Sequence, residues 1–375
     1  MVTMTEPKND VDVFVVGGGP AGLAAAISAR HHGFRTAVAD LLMPPIDKAC
    51  GEGLMPDSSA ELARLGVSLD RCQRAEFQGI RFVGPNQSVE ATFPRGRGVG
   101  IRRTVLHAEL ISRAEHLGVE MFWGARVSGF RNGAVILNDR EVRAKWVVGA
   151  DGQNSMVRRW AGLGAGREFQ RRMALRQHFT TSDLPEFVEI HWGESSQAYI
   201  TPVAKNEICV AVMANRKLGR MDLELENIPT LAERLHSARP GSMPRGAVTV
   251  SNRLKRVYRD RVVLVGDASG SVDAITGEGM ALSFRQALSL GKAMAANDLA
   301  IYQKAHSEME ILPQFMRRTM LLMDKSATIR QRTLRALQSR PELFARMLSV
   351  HVGELPLLKF GLGSLADLGW ELLTV

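Results

Sequence analysis

"VDVFVVGGGPAGLAAAISARHHGFRTAVAD", residues 11–40, is the stretch whose reading decides the fold. Val11 to Val16 is a short apolar run, as a buried parallel strand requires. Gly17, Gly19 and Gly22 follow in G-x-G-x-x-G spacing. Ala21 to Arg30 is rich in helix formers and stops near Gly33, a suitable C-cap. "RTAVAD" reads as a second strand ending at Asp40, 18 residues past Gly22. Each part has a physical task. Gly17 makes the tight turn, Gly19 lets the backbone approach a pyrophosphate, and Gly22 lets helix and strand pack closely. The helix N-terminus offers free N–H groups and positive dipole to phosphates. Asp40 would accept hydrogen bonds from a ribose. In a strand–turn–helix–strand–acid context the glycine pattern predicts a dinucleotide site, for NAD or FAD.

The rest of the composition narrows the class. The chain has 375 residues, long for one core and suited to two closely packed domains. With 45% hydrophobic and 23% charged residues it reads as an ordinary globular protein. The net charge of +9 could serve nucleic acid, an anionic membrane surface or a phosphate-rich ligand. Only 6% of residues are aromatic and no basic run interleaves with them, so no nucleic-acid partner is expected. Three scattered cysteines, Cys50, Cys72 and Cys209, fit a reducing compartment, and a cytoplasmic location is expected. The polar start "MVTMTEPKND" lacks an apolar signal region, and no run of 18 apolar residues exists to span a membrane.

Two later blocks choose between the dinucleotides. "VVGADGQNSMVRR", residues 147–159, is a strand-like run ending in Asp-Gly. "RVVLVGDASGSVDAITGEGMALSFRQA", residues 261–287, is an apolar strand that runs into Gly266-Asp267, a loop with Gly277 and Gly279, and a helix. An aspartate at a strand end can take a ribityl hydroxyl. Backbone N–H groups near Gly279 can face a pyrimidine carbonyl that becomes negative on reduction. Together the three blocks resemble the flavoprotein hydroxylase fold typified by para-hydroxybenzoate hydroxylase, and within it the geranylgeranyl reductase family. The resemblance spans roughly residues 11 to 290 in separated blocks and implies FAD. It also implies that Gly17, Gly19, Gly22 and Asp40 hold the ADP half. Arg103 would then lie near the flavin diphosphate or ribityl chain, Asp151 and Gly152 match the family's Asp-Gly motif at the cofactor, and Asp267 matches its ribityl-binding aspartate. The other reading of Arg103 is a solvated arginine at a helix start.

"KACGEG", residues 48–53, then finds its place. The family carries a K-x-C-G-x-G segment beside the isoalloxazine, which implies that these glycines let backbone approach the ring. Cys50 is then either a proton donor, its thiol pKa lowered by Lys48, or a small side chain packed against the ring.

The expected fold class is α/β (α+β). A discontinuous Rossmann-like FAD-binding domain (1–75, 98–165 and 250–295) carries an inserted antiparallel-sheet substrate domain (76–97 and 166–249), then a helical C-terminal region (296–375). The alternating runs "FQGIRFV", "SVEATF", "MALRQHFT", "FVEIHWG", "QAYITPV" and "EICVAVM" supply the sheet, and "ENIPTLAERLHSA" reads as an amphipathic helix. The Met/Leu-rich tail, including "FMRRTMLLMDK", is either core or, with Arg317 and Arg318, a surface that meets lipid. His178 and His191 read as structural histidines on strands.

The family's Y-x-W-x-F-P signature is degraded here. Gln197, Tyr199 and Thr201 stand at its aromatic positions, and Pro202 is retained; Ala274 replaces a family proline. A halogenase W-x-W-x-I-P run is absent. No second G-x-G-x-x-G exists, so NAD(P)H binds transiently or an external reductase is the electron donor. The sequence thus predicts an FAD-dependent oxidoreductase for an apolar, lipid-like, isoprenoid or polyketide substrate, with C=C reduction as the first reaction. Aromatic hydroxylation through a flavin hydroperoxide is the alternative. A redox-silent prenyl-binding escort is a third, opposed by retention of Asp151 and Asp267. Cys50, Lys48 and Tyr199 are the candidate catalytic residues. Peripheral contact with a membrane is a further expectation.

Overall fold

The computed structural model describes residues 10–131, 133–164, 167–357 and 359. Its first layer is a six-stranded sheet centred on Val11–Val16, which pairs parallel with Thr36–Asp40 on one side and Ala144–Gly149 on the other. Glu120–Trp123 and Val262–Leu264 extend the sheet in parallel, and Tyr258–Arg259 closes one edge antiparallel. The central strand has no polar face, because Val13, Phe14 and Val15 are fully buried. That is the pattern of a strand covered on both sides. Helix Pro20–His31 follows it and packs against helix Gly279–Ala295. The approach is close because the contact is built from small residues. A Cβ on Gly291 would lie 2.2 Å from Ser28 Oγ.

The second layer is a nine-stranded sheet. Its long strand Arg167–Thr180 pairs antiparallel with Glu207–Ala214 and with Arg245–Arg253. Ser196–Ala204, Val188–Trp192, Gly79–Val83 and Ser88–Thr92 complete it toward the other edge. All six alternating runs picked from the sequence lie in this sheet. It is not wholly antiparallel, since Val188–Trp192 runs parallel to Gly79–Val83. Those two strands come from separate insertions, so no hairpin dictates their relative direction. Arg245–Arg253 runs across the boundary expected at 249/250 and pairs at its end with Gly270–Ser271. The helix expected in "ENIPTLAERLHSA" is shorter than its pattern: it spans Pro229–Arg234, and Glu226 ends a separate helix, Met221–Glu226. Pro229 supplies the break, because its ring fixes φ and removes a donor.

Among the described residues four helices follow the Gly279–Ala295 helix: Leu299–Met309, Ile311–Lys325, Ala327–Ser339 and Pro341–His351. Two of the starts are capped by side chains. Asp298 accepts the Ala300 N–H at 2.8 Å, and Ser326 accepts that of Ile329 at 3.2 Å. The last two helices pack on Ser88–Thr92, and Phe344 stacks on Phe82 with ring centroids 4.7 Å apart. The Leu-rich stretch expected to continue the helical tail past residue 359 lies outside the described residues. Among the described residues no helix is long and apolar enough to cross a membrane.

Candidate active site

A cavity of about 980 Å³ opens where the carboxyl ends of the parallel strands meet the large sheet. This is the crevice in which open α/β sheets place their ligands. Of the thirteen residues picked from the sequence, the fold brings twelve to its wall: Gly17, Gly19, Asp40, Lys48, Cys50, Arg103, Asp151, Gly152, Tyr199, Asp267, Gly277 and Gly279. The thirteenth, Gly22, lies behind the wall. A Cβ there would sit 1.8 Å from Gly17 O, so Gly22 is what lets the helix close on the turn. Gly17 has φ +109°, and a Cβ on it would meet Ala150 O at 2.4 Å. Gly19 is different, because a Cβ on it would meet no protein atom within 4 Å and would point into open space.

The nucleotide-like end is held by local hydrogen bonds. Asp40 accepts the Gly18 N–H at 2.7 Å and the Leu42 N–H at 2.8 Å, so its carboxylate shapes the glycine turn as well as lining the cavity. His107 also holds this turn, with no motif in the sequence to mark it. Its Nδ1 accepts the Ile46 N–H, which leaves Nε2 protonated to donate to Gly18 O at 2.7 Å. Burial pushes its pKa down and keeps it neutral. Asp151 accepts the N–H groups of Met156 and Val157 with Oδ2. Its Oδ1 is buried with no partner, and so is the Nε of Arg103. Gly277 adopts φ +69° after a short 3₁₀ turn, and Gly279 opens the following helix with open space at its Cβ position.

Those features fit FAD. Two orphaned polar atoms of opposite character, the Asp151 carboxylate and the Arg103 guanidinium, face a crevice whose glycines carry no side chain. Hydroxyls and a diphosphate would satisfy both, since an unsatisfied buried polar atom costs about 1–3 kcal/mol. The residues that would hold FAD are Gly17, Gly19, Asp40, Arg103, Asp151, Gly152, Asp267, Gly277 and Gly279.

Of the three catalytic candidates, Lys48 does not meet the partner expected of it. The Lys48 ammonium pairs with Asp267 at 3.6 Å, not with the Cys50 thiol. The charge expected to activate Cys50 is therefore directed across the cavity mouth, where a second charge of opposite sign attracts it more strongly than a weakly polar thiol does. Cys50 Sγ accepts the Glu52 N–H at 3.4 Å. Tyr199 donates its hydroxyl to Ile275 O at 2.8 Å, and burial pushes its pKa up, so it holds the 273–276 loop rather than offering a free acid.

The most consequential residues without an assigned role are the glutamate inside "KACGEG" and the groups it meets. Glu52 is buried with φ +59°, lines the cavity, and accepts the Arg103 N–H at 3.0 Å. Its other oxygen lies 2.6 Å from His178 Nε2. His178, expected to be structural, thus joins the cavity wall through Glu52. Cys209 pairs across the sheet with His178 and donates to Cys50 O at 3.4 Å. Burial raises the Cys209 thiol pKa well above its usual value, so the Glu52–His178–Cys209 cluster is held by hydrogen bonds with the thiol protonated. Arg172 is the second omission. It pairs at 3.1 Å with buried Asp273 and at 2.8 Å with Asp324, tying the large sheet to the cavity loop and to helix Ile311–Lys325. Only the partners' positions in space give such a residue away, because they lie 101 and 152 residues distant.

The other end of the cavity is apolar. Met316, Met320 and Met323 recur at helical spacing and face inward, joined by Phe344, Met347 and Leu348 from the last helix. The Met/Leu stripe of the tail thus forms a cavity wall.

The family described as FAD binding domain matches residues 10–300 of the chain. A digeranylgeranylglycerophospholipid reductase of Thermoplasma acidophilum is 30% identical over 301 residues, covering 72% of this chain and 74% of that protein. A menaquinone reductase of Mycobacterium tuberculosis is 26% identical over 319 residues, with 78% of each chain covered. Among solved structures, a flavoprotein/dehydrogenase from Cytophaga hutchinsonii superposes with TM-score 0.79 at 20% identity, covering 92% and 93% of the two chains. The probable FAD-dependent monooxygenase PqsL of Pseudomonas aeruginosa does so with TM-score 0.68 at 20% identity, covering 92% and 100%. At these identities the last two show a shared fold.

Proposed function

The chain belongs to the geranylgeranyl reductase family of FAD-dependent oxidoreductases, and from that premise we propose that it reduces a carbon–carbon double bond in a lipid carrying an isoprenoid chain. One observation carries the reading. A single cavity joins a glycine-lined polar end, with buried unpaired Asp151 and Arg103 atoms, to a wall of methionine, leucine and phenylalanine. The bound flavin supplies hydride; the chain binds, orients and excludes water. Methionines suit an isoprenoid because an unbranched, polarizable side chain fills around a methyl-branched chain without one rigid shape. The relatives named for menaquinone and for digeranylgeranylglycerophospholipid are in keeping with such a substrate. The net charge of +9 would favour collection of the lipid from an anionic membrane surface.

Electrons would come from transient NAD(P)H or an external reductase. In the test, the flavin is reduced anaerobically and mixed with a menaquinone or a geranylgeranyl lipid. The expected result is flavin reoxidation with a dihydro product. A hydroperoxide absorbance on admitting oxygen, with an oxygenated product and no dihydro product, would establish the hydroxylase instead.

A further inference from the structure

Glu52, His178 and Ser242 form a hydrogen-bonded line from the cavity wall to the surface. Glu52 lines the cavity next to Cys50 and Gly51, and it and His178 are both 2% exposed. The Glu52 carboxyl lies 2.6 Å from His178 Nε2, and His178 Nδ1 lies 3.1 Å from Ser242 Oγ. Ser242 is half-buried between exposed Gly241 and Met243, which places it at the protein surface. The charged groups around the imidazole fix its resting state. Arg176 Nη1 lies 3.1 Å from Nδ1, and a guanidinium only donates, so Nδ1 is an acceptor. Nε2 therefore carries the proton and gives it to Glu52. Asp47 holds the far side of Arg176 and also pairs with Arg245 at 2.6 Å. Cys209 on the neighbouring strand stays a thiol and adds no charge.

We propose that Glu52, His178 and Ser242 conduct protons between solvent and the cavity, with Glu52 as the group that exchanges a proton with the reacting substrate. The proposal rests on the reading above, in which each hydride delivered to a double bond must be matched by one proton. In that step the Nε2–H bond of His178 breaks as the Glu52 carboxylate takes the proton, and that new O–H bond breaks as a C–H bond forms at the second carbon. The Ser242 hydroxyl proton moves to Nδ1 in place of the Arg176 N–H, and water gives a proton to Ser242 and leaves as hydroxide. One proton enters and one leaves per bond reduced, and no electron travels along the line. His178 and Ser242 act through Glu52 and are positioning residues.

The test uses the full-length holoprotein and three variants, Glu52→Gln, His178→Gln and Ser242→Ala. Glutamine at 52 keeps one acceptor, for Nε2–H, gives up the one for the Arg103 N–H, and has no transferable proton at its oxygen. All three are expected to retain FAD and to accept electrons at the wild-type rate. The substrate half-reaction should fall about 10²-fold or more in Glu52→Gln and His178→Gln, the scale of losing a general acid. It should fall less, about tenfold, in Ser242→Ala, which removes the link to solvent but leaves Glu52 and His178 in place. A second readout needs no turnover: in ¹⁵N-histidine spectra of the wild type, the His178 Nε2–H should exchange with deuterium, and Ser242→Ala should slow that exchange about tenfold. An unchanged exchange rate in Ser242→Ala, or an unchanged half-reaction in Glu52→Gln, overturns the relay. If Glu52→Gln fails to fold, the exchange measurement on Ser242→Ala decides alone. A wild type that holds reduced FAD but transfers nothing to any isoprenoid lipid defeats the proposed reaction, while the exchange result still reports on the line itself.

Discussion

The two ends of the cavity are built in different ways. The nucleotide-like end is made of backbone. Its shape comes from glycines at fixed spacing, from helix starts, and from Asp40 and Asp151, whose carboxylates hold N–H groups no more than 22 residues away. The apolar end is made of side chains from distant elements, with methionines from helix Ile311–Lys325 meeting strands Gly79–Val83 and Val188–Trp192. A backbone-built site has few sequence solutions, because one misplaced Cβ ruins it. A side-chain-built site has many, because most apolar residues of similar volume will serve. The contrast predicts brittle behaviour at one end and graded behaviour at the other.

The largest effects should come from the glycines, and they should differ in kind. A Cβ on Gly22 strikes Gly17 O at 1.8 Å, and both atoms sit in a closed turn. Gly22→Ala should cost at least the ~1–3 kcal/mol of an overpacked core and should lower Tm or prevent soluble expression. Gly19→Leu has open space, so thermal melting of the apoprotein should stay near wild type while FAD binding is lost. If Gly19→Leu still binds FAD, the pyrophosphate does not lie on this turn.

Asp267 comes next. Asp267→Ala removes an acceptor from the cavity and leaves Lys48 unpaired, so FAD affinity should fall by about 1.5–3 kcal/mol, one to two orders of magnitude in Kd. Titration of the apoprotein with FAD would measure it; an unchanged Kd removes Asp267 from the ligand set.

At the apolar end, Met320→Ala shortens one wall of the cavity and should raise KM for an isoprenoid substrate by about tenfold, the worth of one to two buried methylenes. FAD affinity should not change. A loss of FAD by this variant would mean that the two ends are not separable.

The smallest effect tests the seam between them. Glu278 precedes the helix that starts at Gly279, and His351 comes from the last helix, with Nδ1 3.8 Å from Glu278 Oε1. Burial pushes the Glu278 carboxyl up to about 8 from an ordinary 4.5. Between those values the folded chain holds a proton that the unfolded chain has lost, so stability falls as pH rises through the window. His351 and His306, which burial pushes down to about 4, act oppositely only up to about pH 6.5, their unfolded value. From about pH 6.5 to 8 the decline is therefore Glu278's, about 1–2 kcal/mol, and Glu278→Gln should abolish it in denaturant titrations. A parallel decline in both proteins would show that Glu278 is already ionised.

The sequence by itself determined four strands of the first sheet, the turn at Gly17–Gly22, the family, and the three chain segments that meet at the crevice; strands Glu120–Trp123 and Tyr258–Arg259 came from the structure. It could do so because those features depend on neighbours in the chain: an apolar strand, a glycine where no Cβ fits, a helix start at fixed spacing. It also located the six alternating strands of the large sheet, since period-two burial is a local signal, although the parallel pairing of Val188–Trp192 with Gly79–Val83 was not in it. Only the tertiary structure decided which charges face one another. Lys48 meets Asp267 rather than Cys50, Glu52 meets His178 across 126 residues, and Arg172 meets Asp273 and Asp324. It also turned the methionine stripe of the tail inward. The physical reason is that a buried charge or polar group must be satisfied by whichever partner the packing brings within about 3 Å, and no local pattern constrains which part of the chain supplies it.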